Sequence, residues 1–197
     1  MSSKWSIKTV GPTILMDNKH HGSYLLEVNS EICLDCSDKR HFRSVVYVSL
    51  GSVAILGEEQ MEELARGLMK SDYYFLWMVK ASEECKLPMN FKSEIQGKGI
   101  IVNWCPQLKL LAHQAVACFM THCGRNLMLE ALSLGISMIA MPQMIDQIMN
   151  AKFVADIWQA RVRVKVNDKG IVTIEEIKIL LREVTEGERG KELEKKC

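Results

Sequence analysis

The sequence predicts an α/β fold: an open, doubly wound, parallel sheet with helices on both faces. Short apolar runs recur between residues 44 and 166 and alternate with segments of helical periodicity. Within each run the apolar residues are consecutive rather than alternating, the pattern of strands buried on both faces. Such strands pair in parallel, and every parallel crossover needs a covering connection, usually a helix.

The elements follow in order. "SVVYVSL" (44–50) is a continuous β-branched run and reads as the first strand. Gly51-Ser52 ends it, and "GEEQMEELARGLMKS" then aligns Met61, Leu64, Ala65, Leu68 and Met69 on one helical stripe. "YYFLWMV" (73–79) is the second buried strand, followed by a polar loop over residues 83–90. Shorter strands are expected at 99–103, 117–121, 137–141 and 161–166, with helices beginning near Pro106, Gly124 and Asp146 and a last one from Thr173. Residues 1–43 carry Gly11-Pro12, His20-His21-Gly22 and Asp38-Lys39-Arg40 with little periodicity, and read as an arm or linker. The domain proper is expected over 44–197.

Bulk composition narrows the function classes. With 48% hydrophobic and 25% charged residues, the 197-residue chain is suited to one packed core. Its 25 basic and 24 acidic residues give a net charge of +1, which gathers no polyanion, so nucleic acid is not an expected partner. No apolar run is long enough to cross a bilayer and the N-terminus lacks a signal-peptide pattern, so a cytoplasmic location is the default expectation. The seven cysteines are odd in number and without framework spacing, which favours free thiols. Cys33-Leu-Asp-Cys36 is formally a C-x-x-C, but no second pair completes a zinc site, so no metal is expected there.

In open parallel sheets ligands bind beyond the carboxyl ends of the strands. Those ends hold Gly51-Ser52, Asn103-Trp104-Cys105-Pro106-Gln107, Thr121 to Asn126, and Pro142 to Gln147. Each cluster alone is also what a helix cap requires. Four at one sheet edge point to a site. At 121–126, a glycine between strand and helix admits a ligand close to the backbone, and the free N–H groups and dipole of the new helix favour an anion. His122 and Asn126 can donate into the same space. Metal binding fits poorly, because the adjacent His122 and Cys123 would point apart on a strand. Trp104 offers a flat face for a base or sugar ring, with Gln107 beside it. Glu130 lies on the following helix within reach of ligand hydroxyls. Asp146 and Gln147 pair a carboxylate with an amide, a combination suited to sugar hydroxyls, although Asp146 equally suits a helix cap.

Trp104-x-Pro106-Gln107, His113, Phe119-x-Thr121-His122-Cys123-Gly124-x-Asn126, Glu130, Gly135, Pro142 and Asp146-Gln147 together resemble the signature box of the plant secondary-product UDP-glycosyltransferases. The likeness extends through "SVVYVSLGS", "LGEEQMEELARGL", "NAKFVADIW" and "EGERGKEL". It implies the C-terminal, donor-binding, Rossmann-like half of a two-domain GT-B architecture. By this resemblance Trp104 stacks on uracil, and Gln107 with the Cys105 backbone reads uracil and ribose. Glu130 holds the ribose hydroxyls, while Ser52, His122, Gly124 and Asn126 surround the diphosphate, and Asp146 and Gln147 hold glucose. The donor UDP-glucose is a substrate, and no cofactor is implied. The acceptor, a small lipophilic molecule such as a flavonoid, would bind the N-terminal half together with the catalytic base, so no residue of this chain is expected to be catalytic. That half is absent here, and the chain stops short of the family's last segment, as a fragment, a partial sequence or a degenerate copy would.

Three positions depart from the box. Arg125 replaces tryptophan, Leu127 replaces serine, and Ser137 replaces proline. Leu127 removes a hydroxyl expected to donate to phosphate, while Arg125 could supply a charge-assisted contact instead. The reading is therefore a UDP-glucose-binding domain for inverting glucosyl transfer, inactive alone; the alternative is a non-catalytic pseudo-enzyme or truncated nucleotide-sugar binder. A nicotinamide-binding domain is disfavoured, since no G-x-G-x-x-G follows the first strand.

Overall fold

The computed structural model describes residues 32–51, 55–153 and 161–186. Six parallel strands form one sheet: β1 (Val45–Ser49), β2 (Tyr74–Met78), β3 (Gly99–Val102), β4 (Val116–Thr121), β5 (Ser137–Ala140) and β6 (Arg161–Arg163). Their order is β3-β2-β1-β4-β5-β6. The direction of winding therefore reverses between β1 and β4, and a crevice opens at that switch point above the strand ends.

Alternate side chains of each strand feed two cores. Val46, Val48, Phe75, Trp77, Cys118, Met120 and Ile139 face one side, under α2 (Glu58–Met69) and α7 (Ile174–Glu186). Val45, Tyr47, Leu76, Phe119, Met138 and Ala140 face the other, under α4 (Gln107–Leu111) and α5 (Arg125–Ser133). Burial on both faces is what the unbroken apolar runs encode. The α2 stripe lands as expected, with Met61, Leu64, Ala65 and Leu68 buried. Gly67 brings α2 close to α7, since a Cβ there would lie 2.9 Å from Cδ1 of Ile177. Thr173 caps α7, its Oγ1 accepting the Glu176 N–H at 3.4 Å.

Part of the segment ahead of residue 44 is helical. Residues 32–38 form a helix, α1, whose Cys33 is buried in the same core as α4 and α5 and whose buried Ser37 hydroxyl donates to the Cys33 carbonyl. His113 Nε2 meets the Asp38 carboxylate at 3.0 Å, and the Arg40 guanidinium covers the Tyr74 ring at 3.7 Å. The buried face of α1 consists of a cysteine and a serine, so its apolar periodicity is faint in the sequence. The loop expected over 83–90 is also more ordered than its polarity suggests: a 3-10 turn (Ala81–Lys86) leads into the single turn α3 (Phe91–Glu94). Buried Phe91 anchors it against Phe75 and Trp77, ring centroids 6.4 and 6.3 Å away. The last strand ends at Arg163 rather than near 166. Residues 1–31, and therefore most of the expected arm, lie outside the described residues.

Candidate functional site

The carboxyl ends of β1, β3, β4 and β5 bring the expected clusters to one edge of the sheet. β4 ends at Thr121, directly beside Ser49 of β1. The chain then turns through Cys123, which takes a left-handed conformation (φ 66°), and enters α5 with Gly124 as its N-cap. The left-handed residue is thus a buried cysteine and not the adjacent glycine, whose φ is an ordinary −61°. Cys123 is held there by neighbours: its N–H donates to Thr121 Oγ1 at 3.3 Å, and its carbonyl accepts from Asn150 Nδ2 at 3.4 Å.

Gly124 is required for a different reason. His122 is 8% exposed, and its ring lies between Gly51 and Gly124. A Cβ on Gly124 would fall 2.5 Å from Nε2 of that ring, and one on Gly51 would fall 2.3 Å from Cε1. Both glycines make room for the imidazole. Burial lowers the His122 pKa from the ordinary 6.5, against the opposing pull of the Asp146 carboxylate and the Ser49 backbone, so the ring is neutral at pH 7. Its buried Nδ1 makes no hydrogen bond within the described residues.

The lowered pKa has a stability consequence with a defined sign. His122's contribution is fully present above pH 6.5, the ordinary value, and is lost as pH falls through the lowered folded value. A diphosphate beside the ring favours the imidazolium and opposes that loss. Melting temperatures at pH 7.5 and 5.5 are therefore expected to converge when UDP is added, and to converge less in His122→Gln.

α5 begins without a side-chain cap. The first-turn N–H groups of a helix have no intrahelical acceptor, and here Gly124 offers none. Asn126 and Glu130, four residues apart, share one face of α5, while Leu127, Met128 and Ala131 turn toward the core. Arg125 and Asn126 are exposed at the helix start. Leu127 packs against the core cluster, so it contributes no polar side-chain group to the turn.

Trp104 is 38% exposed immediately after β3. Its neighbours hold it up: Asn103 Nδ2 donates to the Val79 carbonyl at 3.1 Å, and Cys105 is buried with Sγ 3.0 Å from the Tyr47 hydroxyl. Gln107, at the start of α4, donates from Nε2 to Glu130 Oε2 on α5. The two residues expected to read the nucleoside are therefore joined directly. Asp146 is exposed in the first turn of α6 (Ile145–Phe153) and acts electrostatically on His122. Gln147 is buried, and its Oε1 accepts the backbone N–H groups of Gln143 and Met144 at 2.8 and 3.1 Å. The capping expected of Asp146 is thus done by Gln147, which keeps only Nε2 for a ligand. Ser52 lies outside the described residues.

Three contributors were not legible in the sequence. Tyr47 reads as a core aromatic in a strand, Cys33 as part of a linker, and Asn150 as an exposed helix residue; only folding brings them to the site. Among the described residues no group of three or more histidine, cysteine or acidic side chains could hold a metal ion.

Residues 32–193 match the family of UDP-glucoronosyl and UDP-glucosyl transferases. The chain belongs to this family. It is 49% identical to UDP glycosyltransferase 9 of Catharanthus roseus, over 99% of this chain and 44% of that protein. It is 46% identical to UDP-glycosyltransferase 74E2 of Arabidopsis thaliana, over 99% of this chain and 45% of the other. The fold matches Os79 from O. sativa in complex with UDP, with a TM-score of 0.79 and 40% identity over 83% of this chain and 36% of that one. It also matches Phytolacca americana UGT2 complexed with UDP-2fluoro-glucose and pterostilbene, with a TM-score of 0.78 and 36% identity over 85% and 38% of the two chains. This family member thus spans less than half the length of the relatives it matches, and its sheet corresponds to one half of the solved glycosyltransferases. No helix among its described residues is long and apolar enough to cross a membrane.

Proposed function

We propose that the chain is the donor-binding half of a UDP-glucose-dependent glycosyltransferase. The observation that carries this reading is the N-terminus of α5, which has no side-chain cap and is flanked by buried His122 at the switch point of the sheet. An anion completes it. Trp104 supplies a stacking face for a base, and the Gln107–Glu130 pair supplies a donor and a carboxylate for a nucleoside. The relatives solved with UDP and with a UDP-glucose analogue support the same ligand class.

In this reading an acceptor hydroxyl or carboxyl oxygen attacks the anomeric carbon of glucose while the bond to UDP breaks on the opposite side. UDP leaves with the electron pair, and the configuration inverts. This chain binds and orients the donor and stabilises the departing diphosphate through the α5 N–H groups. The acceptor proton needs a base beside the acceptor, on the far side of the cleft, and His122 is committed to the donor side. The sugar is glucose, held by Asp146 with Nε2 of Gln147. The acceptor is a small lipophilic molecule bound elsewhere, and a cytoplasmic location accords with that chemistry.

Calorimetric titration of the chain tests the proposal. Saturable one-site binding of UDP and UDP-glucose, without comparable binding of ADP-glucose, is the expected result. No heat at millimolar UDP would leave a non-catalytic relative with a disabled site, the alternative that the lost hydroxyl at Leu127 raises. Mixed with UDP-glucose and a flavonol, the chain alone is expected to release no glucoside. Leu127→Ser restores a hydroxyl at the third residue after Gly124. The added hydrogen bond is worth roughly 0.5–1.5 kcal/mol, so the UDP Kd is expected to fall about two- to tenfold in the same titration.

A further inference from the structure

Beneath the donor site, on one face of the sheet, runs a chain of polar contacts. Cys33 of α1 is buried in the same cluster as Cys105, Cys105 Sγ lies 3.0 Å from the Tyr47 hydroxyl, and that hydroxyl lies 3.4 Å from Gln107 Oε1. Gln107 Nε2 completes the chain by donating to Glu130. Cys33, Tyr47 and Cys105 are 0%, 1% and 7% exposed, so water does not substitute for these partners.

The direction of every link follows from its last member. A carboxylate only accepts, so Gln107 must turn its NH₂ toward Glu130 and its carbonyl toward Tyr47. Tyr47 must then donate to that carbonyl, which leaves its oxygen to accept from the Cys105 thiol. Reversing the Gln107 amide would set its carbonyl against the carboxylate, two acceptors face to face. We propose that Tyr47 is a positioning residue of the donor site: Glu130 sets which way the Gln107 amide faces, and the buried Tyr47 hydroxyl holds its carbonyl end in place. The ligand then meets the second Nε2–H of Gln107 and the second oxygen of Glu130, a fixed donor beside a fixed acceptor. Tyr47 itself touches no ligand. Its ring stacks on Phe119 (centroids 4.9 Å apart, planes 9° apart), so removing the hydroxyl preserves the packing.

This inference rests on the donor-site reading, and a double-mutant cycle separates their failures. UDP binding is measured for the unmodified chain, Tyr47→Phe, Gln107→Ala and the double variant. Tyr47→Phe is expected to raise the UDP Kd about three- to tenfold in the unmodified background and to have no effect once Gln107 is alanine. If the unmodified chain binds no UDP, the donor-site reading fails and takes the inference with it. If it binds and Tyr47→Phe binds equally well, or weakens both backgrounds alike, the donor site stands and the positioning role of Tyr47 is overturned. A second measurement needs no variant. In NMR spectra of the unliganded chain the Tyr47 hydroxyl proton is expected to exchange slowly and to show a nuclear Overhauser contact to the Gln107 side chain. A rapidly exchanging proton without that contact contradicts the proposal.

Discussion

Gly51→Ala is expected to lower stability by about 2–5 kcal/mol, the largest loss at any glycine of the site. Two costs coincide at this position. The backbone is left-handed (φ 76°), which costs an L side chain about 1–2 kcal/mol. The new methyl would also lie 2.3 Å from Cε1 of His122, an overlap that moves the ring, and overpacking of this kind typically costs about 1–3 kcal/mol. Gly170 isolates the first cost: its φ is 77°, but nothing lies within 4 Å of its Cβ position. Gly170→Ala should therefore lose only the strain component. Thermal unfolding of the two variants gives the crowding at His122 by difference, with Gly51→Ala expected to melt about 5–15 °C below the unmodified chain. Equal melting temperatures would mean that His122 is not held between the two glycines. Because the ring borders the α5 N-terminus, Gly51→Ala is also expected to weaken UDP binding, whereas Gly170→Ala is not.

Trp104→Ala is expected to raise the UDP Kd roughly 5- to 150-fold, since base–aromatic stacking contributes about 1–3 kcal/mol per base. The ring is 38% exposed and its neighbours Asn103 and Cys105 are anchored, so truncation removes a ligand surface without opening the core. Little change in melting temperature is expected. Trp104→Phe should recover part of the affinity, because it keeps a smaller stacking face. Calorimetric titration of UDP into the three proteins decides the matter; an alanine variant that binds as well as the unmodified chain would remove the uracil from Trp104. A variant that loses affinity together with several degrees of melting temperature would instead mark Trp104 as a packing residue.

The sheet was legible because consecutive apolar residues in runs such as Val45–Ser49 leave no polar face for solvent, which forces burial on both sides and helical crossovers. Helices with a dense stripe, α2 above all, were legible for the same reason. α1 was not, because its docking face is Cys33 and Ser37, residues that carry no strong hydrophobic signal. Phe91 packs its turn onto the core, and a single aromatic in a polar stretch leaves no period to read.

At the site, residue type and position indicated the clusters but not how they are held. In the sequence Gly124 reads as the residue that admits a ligand close to the backbone; in the fold it is also small to accommodate His122, and the left-handed conformation of the turn falls on Cys123. Asp146 has the chemistry of a cap, yet Gln147 reaches back to do it, because its longer amide spans to the Gln143 and Met144 N–H groups. Tyr47 was hidden by its strand: alternation assigns its ring to the core correctly but says nothing of where its hydroxyl ends. Side chains that act through non-local contacts, 60 positions apart for Tyr47 and Gln107, become visible only in the folded chain.

A crystal structure of the chain grown with UDP tests the central claim most directly. The diphosphate is expected at the N-terminus of α5, against the N–H groups that follow Gly124 and beside His122, with the uracil on Trp104 and the ribose at Glu130. UDP bound elsewhere on the sheet, or an empty site in crystals grown at millimolar nucleotide, would contradict the assignment of this edge as the donor site.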